Sequence, residues 1–354
     1  MNAPRTTLVV LYGGQSAEHD VSCVSASHVI NAADPALFDV TAVGIARDGS
    51  WHRSPALQFT GDTPRSVPPV LTVDGPAIDP SSVLRADHGP TVVIPMLHGP
   101  LGEDGTVQGM LELMDVPYAG SGVLACAVAM DKGIAKELFA HNAIPQAAHT
   151  VLHADECSAE RVKRAFETLG GDVFVKPANM GSSVGVSHAR TEAEVIAAVA
   201  LAARYDNWVV IEERVKGREI EVAVLGNRDP RASLPGEITP AADFYDYADK
   251  YEDGAAVLSI PAPLTDAQTA EVRELAVRAY KALRCEGMAR VDFFLEEPGR
   301  GFLCNEINTI PGFTPISMFP KMWDATGLSY RDLITELVRL AKERHSAAKR
   351  NTAH

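Results

Sequence analysis

The first hundred residues alternate between apolar runs with strand character and stretches with helical spacing. TTLVVLY (6–12) is followed by two glycines and then by VSCVSASHVINAA, whose apolar residues recur at helical intervals. DVTAVGIA (39–46) and TVVIPML (91–97) are further apolar runs. Strands that alternate with helices pair in parallel, because each crossover carries the chain back to the same edge of the sheet. The pattern predicts an α/β domain built on a parallel sheet.

The pattern changes after about residue 120, and a chain of 354 residues is long enough for two or three domains. Further strands are expected at VFVKP, WVVIEE, EIEVAVLG, AVLSIPA, ARVDFFLE and GFLCNEIN. Helices are expected near 130–141, 158–169, 191–204, 265–284 and 328–346. Residues 61–90 are rich in Pro, Asp and Ser and are expected to be irregular. The second half therefore predicts a small α+β unit followed by a third region.

Composition excludes several classes of function. The net charge of −14 argues against broad binding to nucleic acid or to anionic membranes. The five cysteines are odd in number and never spaced as CxxC, which argues against a disulfide framework or a zinc site. The first apolar run is short and is interpreted as a strand rather than a signal peptide, and no run is long enough to cross a bilayer. A soluble cytoplasmic protein is expected.

The stretch VKPANMGSSVGVS (175–187) ends a strand in Lys176 and then opens into small residues. Small residues let the backbone approach a ligand closely and direct several N–H groups at it. A lysine just before them suggests an anionic ligand. A Gly/Ser surface turn is the alternative interpretation.

A second candidate site lies in RVDFF and NEIN. Glu306 and Asn308 are two residues apart in a strand and therefore share a face. If the two strands form a hairpin through EEPGRG, Asp292 joins that face. Two carboxylates and an amide oxygen suit Mg²⁺ rather than zinc. Ordinary polar alternation on a half-exposed sheet is the alternative.

Arg290 and Gly312 flank this set. Arg290 is two residues before Asp292 and is expected to share its face, where it can bind a phosphate or a developing oxyanion, or simply pair with the acids. Gly312 lies in NTIPGFT, whose backbone N–H groups can line the same site, although a Pro-Gly turn is the default interpretation.

Seven motifs, taken in order, resemble those of D-alanine–D-alanine ligases, which belong to the ATP-grasp superfamily. They are GGQSAEHDVS, HGPLGEDGTVQG, YAGSGVLACAVAMDK, VKPANMGSSVGVS, FYDYADKY, ARVDFF and NEINTIPGFT. The resemblance runs from about residue 6 to 342 and is least clear at 50–90. It implies an α/β, ATP-grasp fold of three domains: a parallel-sheet N-terminal domain at 1–121 that binds the first substrate and dimerises, a central domain at 122–213, and a C-terminal domain at 214–354 with the metal and catalytic residues.

The resemblance also implies the ligands and their sites. ATP lies between the central and C-terminal domains, under a lid formed by 181–186. The residues at the nucleotide are Lys132, Lys176, Ser182, Ser183, Glu212, Glu213, Val215, Glu219 and Lys250. Within that set Lys132 and Lys176 contact phosphate and adenine, Glu212 the adenine and Glu219 the ribose. Two Mg²⁺ (or Mn²⁺) ions are bound by Asp292, Glu306 and Asn308.

The implied substrates are two D-alanine molecules. Glu18 holds the ammonium group of the first, Ser182 and Tyr251 are hydrogen-bonded to that acid, and His98 lies nearby. Ser317 and Met318 hold the carboxylate of the second. Arg290 and the Gly312 N–H stabilise the oxyanion, while Lys250 offsets charge repulsion. By analogy the chain is a homodimer, with no nucleic-acid or membrane partner.

The implied reaction forms D-alanyl-D-alanine through an acyl phosphate, for peptidoglycan precursor synthesis. The motif FYDYADKY favours an amine as the nucleophile, with a D-Ala-D-Ser or D-Ala-D-Lac ligase as the alternative. A non-catalytic ATP-binding protein is a further alternative, disfavoured because Asp292, Glu306, Asn308, Arg290 and Lys176 are all present. A P-loop enzyme lacks its GxxxxGK[ST] motif here, and a dinucleotide-dependent dehydrogenase lacks GxGxxG.

Overall fold

The computed structural model describes residues 5–60, 67–84, 90–240 and 256–348. The first part of the chain forms a four-stranded sheet in the order β3-β2-β1-β4. Its elements are β1 (Thr6–Gly13), α1 (His19–Ala32), β2 (Phe38–Ile45), β3 (Trp51–Phe59), α2 (Ser81–Leu84), β4 (Thr91–Pro95) and α3 (Thr106–Leu113). Strand β1 pairs in parallel with β2 and β4, which confirms the predicted parallel sheet. Strand β3, which the sequence did not indicate, joins the edge in antiparallel orientation.

The helix expected near 130–141 is present, and a further helix that the sequence did not indicate precedes it. They are α4 (Val123–Met130) and α5 (Lys132–His141), and they are separated by Asp131, whose backbone is extended. The Asp131 side chain accepts the N–H of Ile134 at 3.0 Å and so caps α5. The break makes Lys132 the first residue of a helix.

The central part of the chain forms a second four-stranded sheet, which is antiparallel throughout, in the order β5-β8-β6-β7. Its elements are β5 (His149–His153), a 3₁₀ turn (Ala154–Glu156), α6 (Ala159–Thr168), β6 (Val173–Pro177), β7 (Ser187–Ala189), α7 (Glu192–Ala202) and β8 (Trp208–Glu213). Helices α6 and α7 pack on one face through buried Val162, Phe166 and Val195. Phe174, Lys176 and Glu212 of this sheet line a cleft.

A third, antiparallel sheet has the order β12-β11-β9-β13-β14, with β10 paired to β9. Its elements are β9 (Arg218–Leu225), β10 (Arg231–Ala232), β11 (Gly236–Thr239), β12 (Val257–Ser259), α8 (Asp266–Ala282), β13 (Met288–Glu296) and β14 (Gly301–Asn308), followed by α9 (Met318–Ala325) and α10 (Tyr330–Ala347). The predicted hairpin is present, with Asp292 directly opposite Glu306. Helix α8 begins with a capping box formed by Thr265 and Gln268, which explains its position in the sequence.

The hydrophobic cores connect segments that are far apart in the chain. Leu8 of β1 shares a core with Trp323 of α9 and Leu337 of α10, and all three are fully buried. Phe139 of α5 shares another core with Tyr280 of α8 and with Phe293 of β13. The N-terminal sheet is thus fixed to the last two helices, and α5 to the third sheet. The expected domain limits stay a prediction.

Within the described ranges, none of the helices combines the length and apolar character needed to cross a membrane.

Candidate active site

A cleft of about 640 Å³ lies between the second and third sheets. It is lined by residues of the segment 181–186, called here the Gly/Ser segment, and by the end of β8 and the 214–217 loop. The facing strands of the third sheet and the loop that precedes α9 line the other side. Fourteen of the predicted site residues line it: Lys132, Lys176, Ser182, Ser183, Glu212, Glu213, Val215, Glu219, Arg290, Asp292, Glu306, Gly312, Ser317 and Met318. Lys250 and Tyr251 lie outside the described residues. Residues scattered over 187 positions of the sequence therefore converge on one cavity, from Lys132 to Met318.

Three carboxylates form a row across the floor of the cleft. Asp292 of β13 is directly opposite Glu306 of β14 on one side and Glu221 of β9 on the other. Two residues away along the β13–β14 hairpin, Asn308 is opposite Arg290. The Asn308 Nδ2 donates to Asp292 Oδ2 at 3.0 Å. The expectation that Asp292, Glu306 and Asn308 share a face is confirmed. Glu221 was not anticipated, although its position two residues after Glu219 in a strand places it on that face.

Arg290 is held between two of these acids. Its Nε and Nη2 donate to Asp292 Oδ1 and Oδ2 at 2.7 and 2.6 Å, and its Nε lies 3.2 Å from Glu221 Oε2. Burial opposes the charge, but Asp292 and Glu221 outweigh it and raise the pKa of Arg290 well above its ordinary value. The guanidinium is an ion-pair partner, as one interpretation held, and it also lines the cleft. The two interpretations are compatible.

A β-bulge brings one further residue into the cleft. The register of β13 and β14 shifts after Asp292, so that Phe293 is opposite Cys304 and no residue of β13 is paired with Asn305 across the strands. A bulge inserts one residue and redirects the side chains around it. Asn305 therefore lines the cleft next to Glu306, and its Oδ1 lies 3.5 Å from Lys176 Nζ. Strict alternation along β14 would place Asn305 on the face opposite to Glu306.

Glu212 is enclosed by two lysines. Lys176 of β6 pairs with one carboxylate oxygen and Lys136 of α5 with the other. All three are buried, and Lys136 is only 1% exposed. Burial alone raises the pKa of Glu212, but Lys136 and Lys176 lower it to about 2. Lys136 was missed because its only sequence signal is its spacing, one helical turn after Lys132.

The Gly/Ser segment (181–186) lines the cleft and also contacts Glu18, the N-cap residue of α1. The Ser182 hydroxyl donates to the Glu18 carboxylate, and Lys132 Nζ donates to the Met180 carbonyl at 2.7 Å while lying 3.6 Å from Glu306. Ser182 and Ser183 both have left-handed backbone conformations, with φ of 48° and 60°. Such conformations persist only where neighbouring contacts hold them, and they occur often at ligand sites.

His98 lies behind the cleft rather than on its wall. Its Nδ1 is 3.1 Å from the Ile310 carbonyl and 3.7 Å from Glu103, and its Nε2 is 3.0 Å from Ser25 Oγ. Burial lowers the pKa of His98, but the Glu103 and Glu18 carboxylates outweigh it and raise that pKa above its ordinary value. Both ring nitrogens already have protein partners. Its predicted place near the first substrate stays a prediction.

The loop before α9 is tightly packed around Gly312. A Cβ on Gly312 would lie 2.7 Å from Ser317 Oγ, so only glycine fits without a shift. Ser317 Oγ also accepts the N–H of Thr314 at 2.9 Å. Gly312 and Ser317 are thus brought together at the same end of the cleft, beside Met318.

The donor set suits a divalent cation that is shared with a ligand. No group of three or more His, Cys, Asp or Glu side chains in the described part of the chain is arranged to hold a metal ion alone. Asp292 and Glu306 nevertheless present carboxylate oxygens to one cavity, with Asn308 beside them. Mg²⁺ takes oxygen ligands and is commonly held by one or two carboxylates together with substrate phosphates. The residues present therefore fit magnesium.

Comparisons with known proteins agree with this geometry. A family model described as D-ala D-ala ligase N-terminus matches residues 7–121, and one described as D-ala D-ala ligase C-terminus matches 138–339. A D-alanine–D-alanine ligase of Bacillus velezensis is 46% identical, over 95% of this chain and 98% of that protein. The D-alanine–D-alanine ligase structure from Coxiella burnetii has a TM-score of 0.79 at 34% identity, over 97% of both chains. The VanG D-Ala:D-Ser ligase of Enterococcus faecalis also has a TM-score of 0.79, at 32% identity, over 96% of this chain and 100% of that one. On these matches, this chain belongs to the D-alanine–D-alanine ligase family.

Proposed function

We propose that this chain joins two D-alanines into D-alanyl-D-alanine and converts ATP to ADP and phosphate, as a step in peptidoglycan precursor synthesis. The observation that carries the proposal is the shared cavity. The carboxylate row with Arg290 faces the same space as the Gly/Ser segment and the lysines Lys132 and Lys176. A protein that only bound a nucleotide would not need the acids and the arginine together.

The charges in the cleft explain why metal ions are needed. A triphosphate cannot approach Asp292 and Glu306 closely, because both partners are anionic. Divalent cations held by these residues would remove that repulsion and would supply positive charge during phosphoryl transfer. We assign two Mg²⁺ (or Mn²⁺) ions to Asp292, Glu306 and Asn308.

The nucleotide is assigned to the side of the cleft formed by β6, β8 and β9. Lys132 and Lys176 supply positive charge, and Glu212, Glu213, Val215 and Glu219 lie along the same wall. Glu213 accepts the Ala148 N–H at 2.7 Å, which fixes the end of β8. Glu212 would meet the adenine and Glu219 the ribose. The left-handed Ser182 and Ser183 direct the Gly/Ser segment over the phosphates.

The chemistry has two steps. An oxygen of the first D-alanine carboxylate attacks the γ-phosphorus, the bond to ADP breaks, and an acyl phosphate forms. The amine of the second D-alanine attacks the acyl carbon, loses a proton, and expels phosphate. Arg290 and the Gly312 N–H would stabilise the oxyanion, and a closed Gly/Ser segment would keep water from the acyl phosphate.

Glu18 is assigned to the ammonium group of the first D-alanine. It is 8% exposed and bonded to Ser182, which joins the substrate position to the Gly/Ser segment. We expect Glu18→Gln to raise the KM for the first D-alanine at least tenfold, because a neutral amide loses the charge-assisted hydrogen bond. Steady-state kinetics at saturating ATP would measure this. An unchanged KM for that substrate would contradict the assignment.

The identity of the second substrate is tested by product analysis. The chain is incubated with ATP, Mg²⁺, D-alanine and equal concentrations of D-serine and D-lactate at neutral pH, and the products are identified by mass spectrometry. D-alanyl-D-alanine is expected to dominate. If the main product were D-Ala-D-Ser or D-Ala-D-Lac, the result would replace the proposed D-Ala-D-Ala activity with one of these two alternatives. If ATP released no phosphate in response to D-alanine, the result would favour a non-catalytic ATP-binding protein.

We also propose a homodimer that works in the cytoplasm. Leu113, the last residue of α3, is 92% exposed, and Leu101 before α3 and Leu124 of α4 are also exposed. These apolar side chains in the N-terminal part of the chain support an association surface there. The five cysteines are all free thiols, as in a reducing compartment. Sedimentation equilibrium measures the assembly, and a single-chain mass at micromolar concentration would contradict the dimer.

A further inference from the structure

The turn that carries Gly312 is held from both sides by two side chains of the N-terminal part of the chain. Ser25 Oγ, on α1, accepts the backbone N–H of Phe313 at 3.2 Å. His98 Nδ1, just beyond β4, lies 3.1 Å from the carbonyl oxygen of Ile310. Ser25 Oγ and His98 Nε2 are 3.0 Å apart. Gly312 thus lies between two anchored positions, 310 and 313.

The protons in this network can be placed from its donors and acceptors. The Ile310 carbonyl only accepts, so His98 Nδ1 carries a proton and donates to it. When the imidazole is neutral, the Ser25 hydroxyl donates to Nε2; when it is protonated, Nε2 donates to Ser25 Oγ. In both states the Ser25 oxygen keeps a lone pair for the Phe313 N–H. The hydroxyl therefore joins the imidazole to the turn at any pH.

Water cannot substitute for these contacts. Ser25 and Phe313 are fully buried, and His98 is 4% exposed. Removing the hydroxyl would leave a buried N–H without its acceptor, which a protein avoids by moving the backbone. The two rigid peptide units on either side of Gly312 share its Cα atom. A backbone shift at Phe313 is therefore transmitted to the Gly312 N–H.

We propose that Ser25 is a positioning residue, which acts with His98 through the 310–313 turn to aim the Gly312 N–H at the reacting carbonyl. The proposal rests on the proposed function, in which that N–H stabilises the oxyanion. Helix α1 then has two roles: its N-cap residue is Glu18, and its Ser25 positions the turn that carries Gly312. His98 then acts on the reaction through the turn.

The test compares Ser25→Ala with Ser27→Ala. Ser27 lies on the same helix, is fully buried, and donates its hydroxyl to the Pro68 carbonyl, away from the turn. Ser25→Ala is expected to lower kcat for the dipeptide about 10–100-fold, the size expected of a small misplacement of a catalytic group. The KM values for ATP and D-alanine should stay within about twofold of wild type, and Ser27→Ala should keep kcat. Amide hydrogen exchange provides a second measurement, because the Phe313 N–H should exchange faster in Ser25→Ala alone.

Three results would overturn the proposal. They are a wild-type kcat in Ser25→Ala, an equal loss of kcat in both variants, and a loss of kcat without faster exchange at Phe313. The wild-type chain is assayed first, so that failure of the proposed function is seen separately, as absence of dipeptide. The exchange measurement does not depend on activity and tests the anchoring by itself.

Discussion

Arg290→Ala is expected to lower kcat about 10²–10³-fold, since it removes one donor aimed at the developing oxyanion. The same change leaves Asp292 and Glu221 facing each other without the guanidinium that bridges them. Breaking a buried ion pair from one side costs about 3–5 kcal/mol, and this half-buried site should lie near the lower value. Steady-state assays and urea unfolding of the same preparation measure the two effects. The affinity for ATP should change much less than kcat.

The variant Arg290→Lys separates the role of Arg290 at the oxyanion from its role as the ion-pair partner of Asp292 and Glu221. It keeps a positive charge between the acids, so it should recover most of the lost stability. A lysine cannot reproduce the forked contact with both oxygens of Asp292, so kcat should stay low. A lysine variant with near wild-type kcat would show that charge alone matters and would contradict the oxyanion role.

Glu212→Gln is expected to destabilise the fold by about 3–5 kcal/mol at neutral pH. It leaves the buried ammonium groups of Lys136 and Lys176 side by side without a counter-charge. The effect depends on pH. Because the pKa of Glu212 is lowered from 4.5 to about 2, the stabilisation is complete above pH 4.5 and is lost as the pH falls towards 2. The difference in unfolding free energy between wild type and variant should therefore shrink over that interval.

The double variant Glu212→Gln with Lys136→Met provides the control. It removes one of the two unpaired charges and replaces it by an apolar side chain of similar length. It should be more stable than Glu212→Gln alone, as a double-mutant cycle would show. A double variant that is less stable than Glu212→Gln alone would contradict the explanation by unpaired lysine charges. A Glu212→Gln variant as stable as wild type would also contradict it.

Local periodicity accounts for much of the fold. The apolar runs at 6–12 and 91–97 became β1 and β4 because a strand buried on both faces must be apolar nearly throughout. The helices expected at 158–169 and 265–284 begin directly after Ser158 and Thr265, whose side chains cap them. These signals lie within a few residues of the element they determine.

Helix α4 and the extra strand β3 were not predicted. Helix α4 has the sequence VLACAVAM, which is apolar throughout and therefore lacks the alternation of apolar and polar residues that indicates a helix. Strand β3 contains Arg53 and Pro55 and is an edge strand, where polar residues and proline are tolerated.

The sequence alone determined which residues share a face and which motifs occur in which order. Those two facts were enough to predict a set of oxygen ligands at Asp292, Glu306 and Asn308 and a family for the chain. Only the tertiary structure decided which faces meet: Lys136 against Glu212, Ser25 against Phe313, and Asn305 turned into the cleft by a bulge. The physical reason is that periodicity reports the direction of a side chain relative to its own backbone, whereas a contact between distant segments depends on how whole elements pack.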